Sequence, residues 1–242
     1  MIHRKLFKGF LGLGLAALFF FIPLLVSAQS IQGIYLPLVK IAGTAPQPTP
    51  HPDGVYILDN STTFIDPGGE QHFVGEVFNN TDELLQLVEI TVNLYDAQDQ
   101  LLTTGAAYTP MFTLPARTRT CFDVALVPPA GTVRYAFAAP AYFTGGAAIP
   151  PMSLLNSAWA YDPASGGYGL SGQVRSDYSG TAKFVQSIGT LTNAQRQVLG
   201  CGFAFVDSTD LAPGQISPFE ITFSGRDYAD VTGYRLQVDG NP

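Results

Sequence analysis

From Val88 to Tyr95 the chain alternates. Val88, Ile90, Val92 and Leu94 are apolar, and Glu89, Thr91 and Asn93 between them are polar. That is the period of a strand with one buried face. Asp96-Ala-Gln-Asp99 reads as a turn and residues 100–107 as the returning strand of a hairpin. After a second turn at Leu114-Pro-Ala-Arg117, residues 121–126 put Phe122, Val124 and Leu126 on one side and Asp123 on the other, and a last strand is predicted through Val133-Arg-Tyr-Ala-Phe137. The pattern then returns. Gln173-Val174 opens a strand, Asn193-Ala-Gln-Arg196 is the hairpin turn and Leu211-Ala-Pro-Gly214 the second turn. Phe219, Ile221 and Phe223 form the inward stripe, and Tyr234-Arg-Leu-Gln-Val238 closes the unit. No segment carries a helical period.

The return is a repeat in sequence as well as in pattern. At an offset of 97 residues, positions 75–126 lie over 172–223 without a gap, and 12 of the 52 pairs are identical. Among them are Gly75/Gly172, Val77/Val174, Leu94/Leu191, Gly105/Gly202 and Phe122/Phe219. A unit of about a hundred residues is too long for a solenoid repeat and has the size of a small domain. Short strands separated by turns at that unit length predict an all-β chain of two tandem immunoglobulin-like β-sandwich domains, 53–149 and 150–242.

The residues before them read as an address. Arg4, Lys5 and Lys8 precede an apolar run from Phe10 to Val26, and Ser27-Ala28 supplies small residues for cleavage before Gln29. This is the order of a secretory signal peptide, 1–28. A retained membrane anchor is the alternative, and the only route by which the sequence predicts membrane contact. The linker, 29–52, holds an apolar patch at Ile34-Tyr-Leu-Pro-Leu-Val39 and then proline at 46, 48, 50 and 52. It is expected to be a stiff polyproline spacer, roughly 28 Å long at about 3.1 Å per residue. Without 1–28 the chain keeps 9 basic residues against 19 acidic ones, a net −10. Such a charge opposes nucleic acid and anionic lipid as partners.

Val74-Gly-Glu-Val-Phe-Asn-Asn-Thr81, Val88-Glu-Ile-Thr-Val-Asn-Leu-Tyr-Asp96 and Leu114-Pro-Ala-Arg117 before Phe122 resemble the bacterial FxLYD domain. That family shows V-G-x-V-x-N, a strand ending near Leu-Tyr-Asp, and an L-x-P-G turn before an F-x-V/I strand. Leu211-Ala-Pro-Gly214 and Phe219-Glu-Ile221 match the last two in the second unit. The first unit has Val92 where the family name calls for Phe, and the second reads Gly189-Thr-Leu-Thr-Asn193. The resemblance implies an extracytoplasmic sandwich of exported proteins, with no catalytic residues to carry over.

Candidate chemistry is sparse. Cys121 and Cys201 are the only cysteines. In an exported chain they are expected to pair, or else to be two buried thiols. Cys121 aligns with Pro218 and Cys201 with Thr104, so a bond between them would cross the units. His3, His51 and His72 stand apart, and no Gly-x-Ser-x-Gly frames a nucleophile. No metal site or cofactor is predicted. The Asp66-Pro-Gly-Gly-Glu70 and Asp96–Asp99 clusters lack the alternating ligands of a calcium loop and read as turns. Asn60-Ser-Thr62 and Asn79-Asn-Thr81 fit a glycosylation sequon, too short a pattern to carry weight. Trp159, Tyr161, Tyr168 and Tyr178 are either core residues or an exposed aromatic patch for sugar or peptide. The expectation is a non-enzymatic, secreted or surface-displayed module of the cell envelope with a protein or glycan partner. The alternative is a small-ligand or carbohydrate-binding protein, using the patch or the cleft between units.

Overall fold

The computed structural model describes residues 54–242. The signal peptide and linker predicted above, with Asp53, lie outside the described residues. Within them all regular structure is strand. In the first half the strands are β1 (Val55–Ile57), β2 (Thr62–Ile65), β3 (Gln71–Asn79), β4 (Leu85–Tyr95), β5 (Leu101–Tyr108), β6 (Thr113–Leu114), β7 (Arg119–Leu126), β8 (Arg134–Phe137) and β9 (Ala141–Thr144). In the second they are β10 (Met152–Asp162), β11 (Gly167–Ser176), β12 (Lys183–Thr192), β13 (Val198–Phe205), β14 (Ile216–Phe223) and β15 (Gly233–Asn241).

Every pairing is antiparallel. β3 takes β1 and β2 on one side and β7 on the other; β4 takes β5 and β6 on one side and β8 and β9 on the other. The alternation read in the sequence decides how these two sheets meet. Val88, Ile90, Val92 and Leu94 of β4 are fully buried against Phe73, Val77, Phe122 and Val124 of β3 and β7. In the second half the β10-β11-β14 sheet faces the β13-β12-β15 sheet, and Leu170, Val174, Phe219 and Ile221 meet Val185, Leu191 and Leu199.

The 97-residue offset is kept in three dimensions. Gly75 pairs with Phe122, and Gly172 with Phe219. Val92 pairs with Gly105, and Gly189 with Gly202. The β4–β6 pair Leu85–Leu114 recurs as the bridge Ala182–Leu211. The hairpin turns are built alike. Asp96 Oδ1 accepts hydrogen bonds from the amides of Gln98 and Gln100, and Asn193 Oδ1 accepts from those of Gln195 and Gln197. The fourth turn residue is left-handed in each, Asp99 at φ 58° and Arg196 at φ 63°. At each Gly–Phe pair the aromatic ring lies across the glycine. A Cβ on Gly75 would stand 2.6 Å from Phe122 Cζ and 2.9 Å from Ser61 Cβ, both closer than contact allows. Gly75→Val is therefore expected to lower stability by about 1–3 kcal/mol, read as a shift in urea midpoint at unchanged slope.

The halves pack as one compact body. β13 lies on β3 and β7, so the face of β3 turned away from its own core is buried too: Val74 is fully buried and Glu76 almost so. The four sheets thus stack in series, with the β3 and β12 sheets as the inner layers. Cys121 and Cys201 are bonded across this contact with Cα atoms 5.6 Å apart. Cys121 faces away from Phe122, as its place next to a core residue required. Cys201 shares strand parity with Phe203 and Phe205, and both of those are exposed, so that whole face points out of the second core. Glu76 receives Asn60 Nδ2 at 2.6 Å and Arg119 Nη1 at 3.4 Å, and pairs with Arg235 of the other half. Phe112 donates its amide to Asp239 Oδ2 at 2.6 Å, Gln186 Nε2 donates to the Pro110 carbonyl at 2.6 Å, and Gln237 Nε2 donates to the Arg119 carbonyl at 2.8 Å.

Asn79, a sequon asparagine, is buried; its amide donates to the carbonyls of Glu83, Leu114 and Pro115 and ties the end of β3 to the following turn. β11 begins at Gly167, six residues before the predicted opening at Gln173.

Candidate functional site

The four aromatic residues singled out above do not stay together. β10 forms one edge of its sheet and carries Trp159 and Tyr161 on the core-facing side. Tyr161 pairs with Tyr168 of β11, and Trp159 with Leu170. Leu170 sits deep in the sandwich, yet Trp159, one strand nearer the edge, is 50% exposed. Its indole lies flat on the Tyr168 ring, with centroids 5.6 Å apart and planes within 6°. Tyr178 follows the far end of β11; at about 3.3 Å per residue it lies roughly 25 Å or more from Tyr168 along the strand. It packs on the second core and has no part in the patch.

Burial makes Tyr168 a fixed platform. Only 6% of it is exposed, and burial, then the nearby Tyr234, pushes its phenol up to about 12. The Tyr161 hydroxyl donates to Asp227 Oδ1 at 2.9 Å, a bond that raises the phenol above its ordinary value. Asp227 also accepts the Ala229 amide at 2.9 Å, and that bond, followed by the one from Tyr161, holds its carboxyl below the usual range. The result is an exposed indole face backed by a rigid phenol, with an ionised carboxylate beside it. Rings presented this way stack on apolar sugar or peptide faces, and carboxylates accept hydroxyl hydrogens. Sequence reading missed Asp227 and Tyr234, which are more than sixty residues from Trp159 and joined to it only by the folding of β15 and the loop before it.

A second feature is a shallow groove of about 430 Å³ on the outer face of the β11–β14 pair, lined by Asn156, Ser171, Gly172, Gln173, Asp207, Pro218, Phe219 and Glu220. Its walls are mixed, with Pro218 and Phe219 among the polar side chains, and Asn156 Nδ2 donates to Gln173 Oε1 at 3.2 Å. The Asp66–Glu70 cluster is a turn, as expected: Asp66 accepts the Glu70 amide at 2.8 Å and the Gly69 amide at 3.0 Å. His72 does not stand apart in space, for Asp123, Asp66 and Phe64 surround it.

No protein-family model matches the chain, and no curated protein matches it. Among solved structures it is similar to the exo-chitosanase CsxA of Amycolatopsis orientalis, at 11% identity over 75% of this chain and 25% of that one, with a TM-score of 0.27. It is also similar to red sea bream transglutaminase, at 11% identity over 76% and 29% of the two chains, with a TM-score of 0.23. The chain spans about a quarter of the length of these proteins. Likeness at this level assigns no activity.

Proposed function

We propose that this chain is a non-enzymatic extracytoplasmic binding module of the bacterial cell envelope, exported by its signal and carried on its proline stalk. On this reading the two halves, 53–149 and 150–242, are tandem immunoglobulin-like sandwiches of the FxLYD kind. The observation that carries it is where the polar and covalent bonds are concentrated. The disulfide, the Glu76–Arg235 pair and the bonds of Asp239, Gln186 and Gln237 all hold one half against the other. A disulfide also fits an oxidising compartment. The test is co-sedimentation of purified 29–242 with isolated cell-envelope material. Saturable binding is expected, and its absence from every envelope fraction would sink the proposal.

One observation favours a narrower version, a carbohydrate-binding surface at Trp159, Tyr161 and Tyr168: the half-exposed indole stacked on a buried phenol. Trp159 is the chain's single tryptophan, so intrinsic fluorescence reports on this place alone. Titration with soluble cell-wall oligosaccharides is expected to shift its emission saturably. Trp159→Ala should lower affinity about 5- to 150-fold, by the loss of about 1–3 kcal/mol of stacking, judged by calorimetry. Unchanged emission with every glycan would leave the patch without a sugar role.

A further inference from the structure

One turn and one strand bring carboxylates to His72. β3 carries the imidazole on the outer face of its sheet, the β2–β3 turn supplies Asp66 and Glu70, and β7 supplies Asp123. Nδ1 lies 3.0 Å from both oxygens of Asp123. A carboxylate only accepts, so Nδ1 donates to Asp123 and Nε2 is the ring nitrogen left to meet another group. Nε2 lies 3.9 Å from Asp66 Oδ2. A cation held between Nε2 and Asp66 Oδ2 would be drawn in by the carboxylates of Asp66, Glu70 and Asp123 around it. Asp66 cannot easily swing aside, because its Oδ1 is held by the Glu70 amide at 2.8 Å. Phe64 stacks on the His72 ring, with centroids 4.6 Å apart and planes within 1°, and fixes the imidazole's tilt.

We propose that Asp66, Glu70 and His72 form a binding site for a divalent transition-metal ion of the Zn²⁺ type, with Asp123 orienting the imidazole. One ligand atom from each of the three lies within 4.8 Å of the others. Zinc bound tetrahedrally at 2.0–2.2 Å separates neighbouring ligand atoms by about 3.4 Å. His72 and Asp66 need to close by only about 0.5 Å from their 3.9 Å separation to reach it. Glu70 is exposed and long enough to swing in as the third ligand, and the fourth position is left to water. The imidazole selects against calcium and magnesium, which take oxygen ligands. A histidine whose second nitrogen is bonded to a carboxylate is the usual arrangement behind a metal-ligating ring. The three ligands come from one turn and the strand that follows it, Asp66 and Glu70 before β3 and His72 on it, and only the orienting Asp123 is distant in sequence. The ion would pin the β2–β3 turn to the sheet that carries the contact between halves.

The test is calorimetric titration of chelator-treated, oxidised 29–242 with zinc, manganese and calcium chlorides at neutral pH, beside thermal melts. One equivalent of zinc is expected to bind and raise the melting temperature, with calcium inert. Glu70→Ala alters only an exposed side chain and should weaken zinc at least tenfold; His72→Ala should abolish binding, and Asp123→Asn should weaken it 10- to 100-fold. No zinc binding would overturn the proposal. Undiminished binding in Glu70→Ala and His72→Ala would overturn it equally, by placing the ion elsewhere.

Discussion

Replacing Cys121 and Cys201 together by alanine is expected to lower the unfolding free energy by about 4 kcal/mol, in line with loop-closure entropy for a bond of this reach. The bonded residues are 80 apart in sequence. In the folded protein they lie at the centre of the contact between halves, so the bond confines the unfolded chain far more than the native one. For a body of this size the loss corresponds to roughly 10 °C in melting temperature. Denaturant titrations of the double variant, and of the wild type with and without reductant, measure it. A change under about 1 kcal/mol would mean that the unfolded chain gains little freedom when the bond is removed.

Glu76→Ala is expected to cost roughly 3 kcal/mol, the scale for breaking a buried ion pair from one side. Glu76 has a side-chain exposure of 3%, whereas Arg235 keeps 28% and Arg119 keeps 51%. Removing the carboxylate leaves Arg235 partly desolvated without its counter-charge, and strips Asn60 Nδ2 of its acceptor. Burial already pushes the Arg235 guanidinium below its ordinary value, and Glu76 is what pulls it back. Glu76→Gln keeps the shape and should cost less. The measurement is again the urea midpoint; an effect within the range of about 0.2–1 kcal/mol found for exposed pairs would show that water reaches the site.

Much of this architecture was legible in the chain. The period of two in Val88–Leu94 named the buried face of β4, and the duplicated turns named both hairpins, because those signals are local. The short strands β1, β2 and β9 escaped, since three or four residues cannot display a period. The pairing of the cysteines could be read from export and non-equivalent positions. The depth of Cys121 could not, for it depends on the sheet of β12 and β13 arriving over β7. The aromatic patch was half legible. Composition marked Trp159 and the tyrosines, but only the register of β10 on β11 separates Tyr161 and Tyr168 from Tyr178. Nothing local joins His72 to Asp123, which lies 51 residues further on.

The way the halves meet has a consequence for growth. The repeat maps β3 and β7 onto β11 and β14, and maps β12 and β13 onto β4 and β5. The buried contact therefore joins two unlike surfaces, a heterologous head-to-tail step that does not close on itself. Repeated without change, it would add a third unit on the β11–β14 face, then a fourth, into a filament. The replacements on that face oppose this. Ser171 stands where the first half has Val74, Gln173 where it has Glu76, and Pro218 where it has Cys121. The apolar contact of Val74, the charge of Glu76 and the covalent link of Cys121 have no counterpart there, and the shallow groove takes their place. The face of the second half thus lacks the contacts by which the halves hold each other, as the outer faces that terminate repeat arrays do.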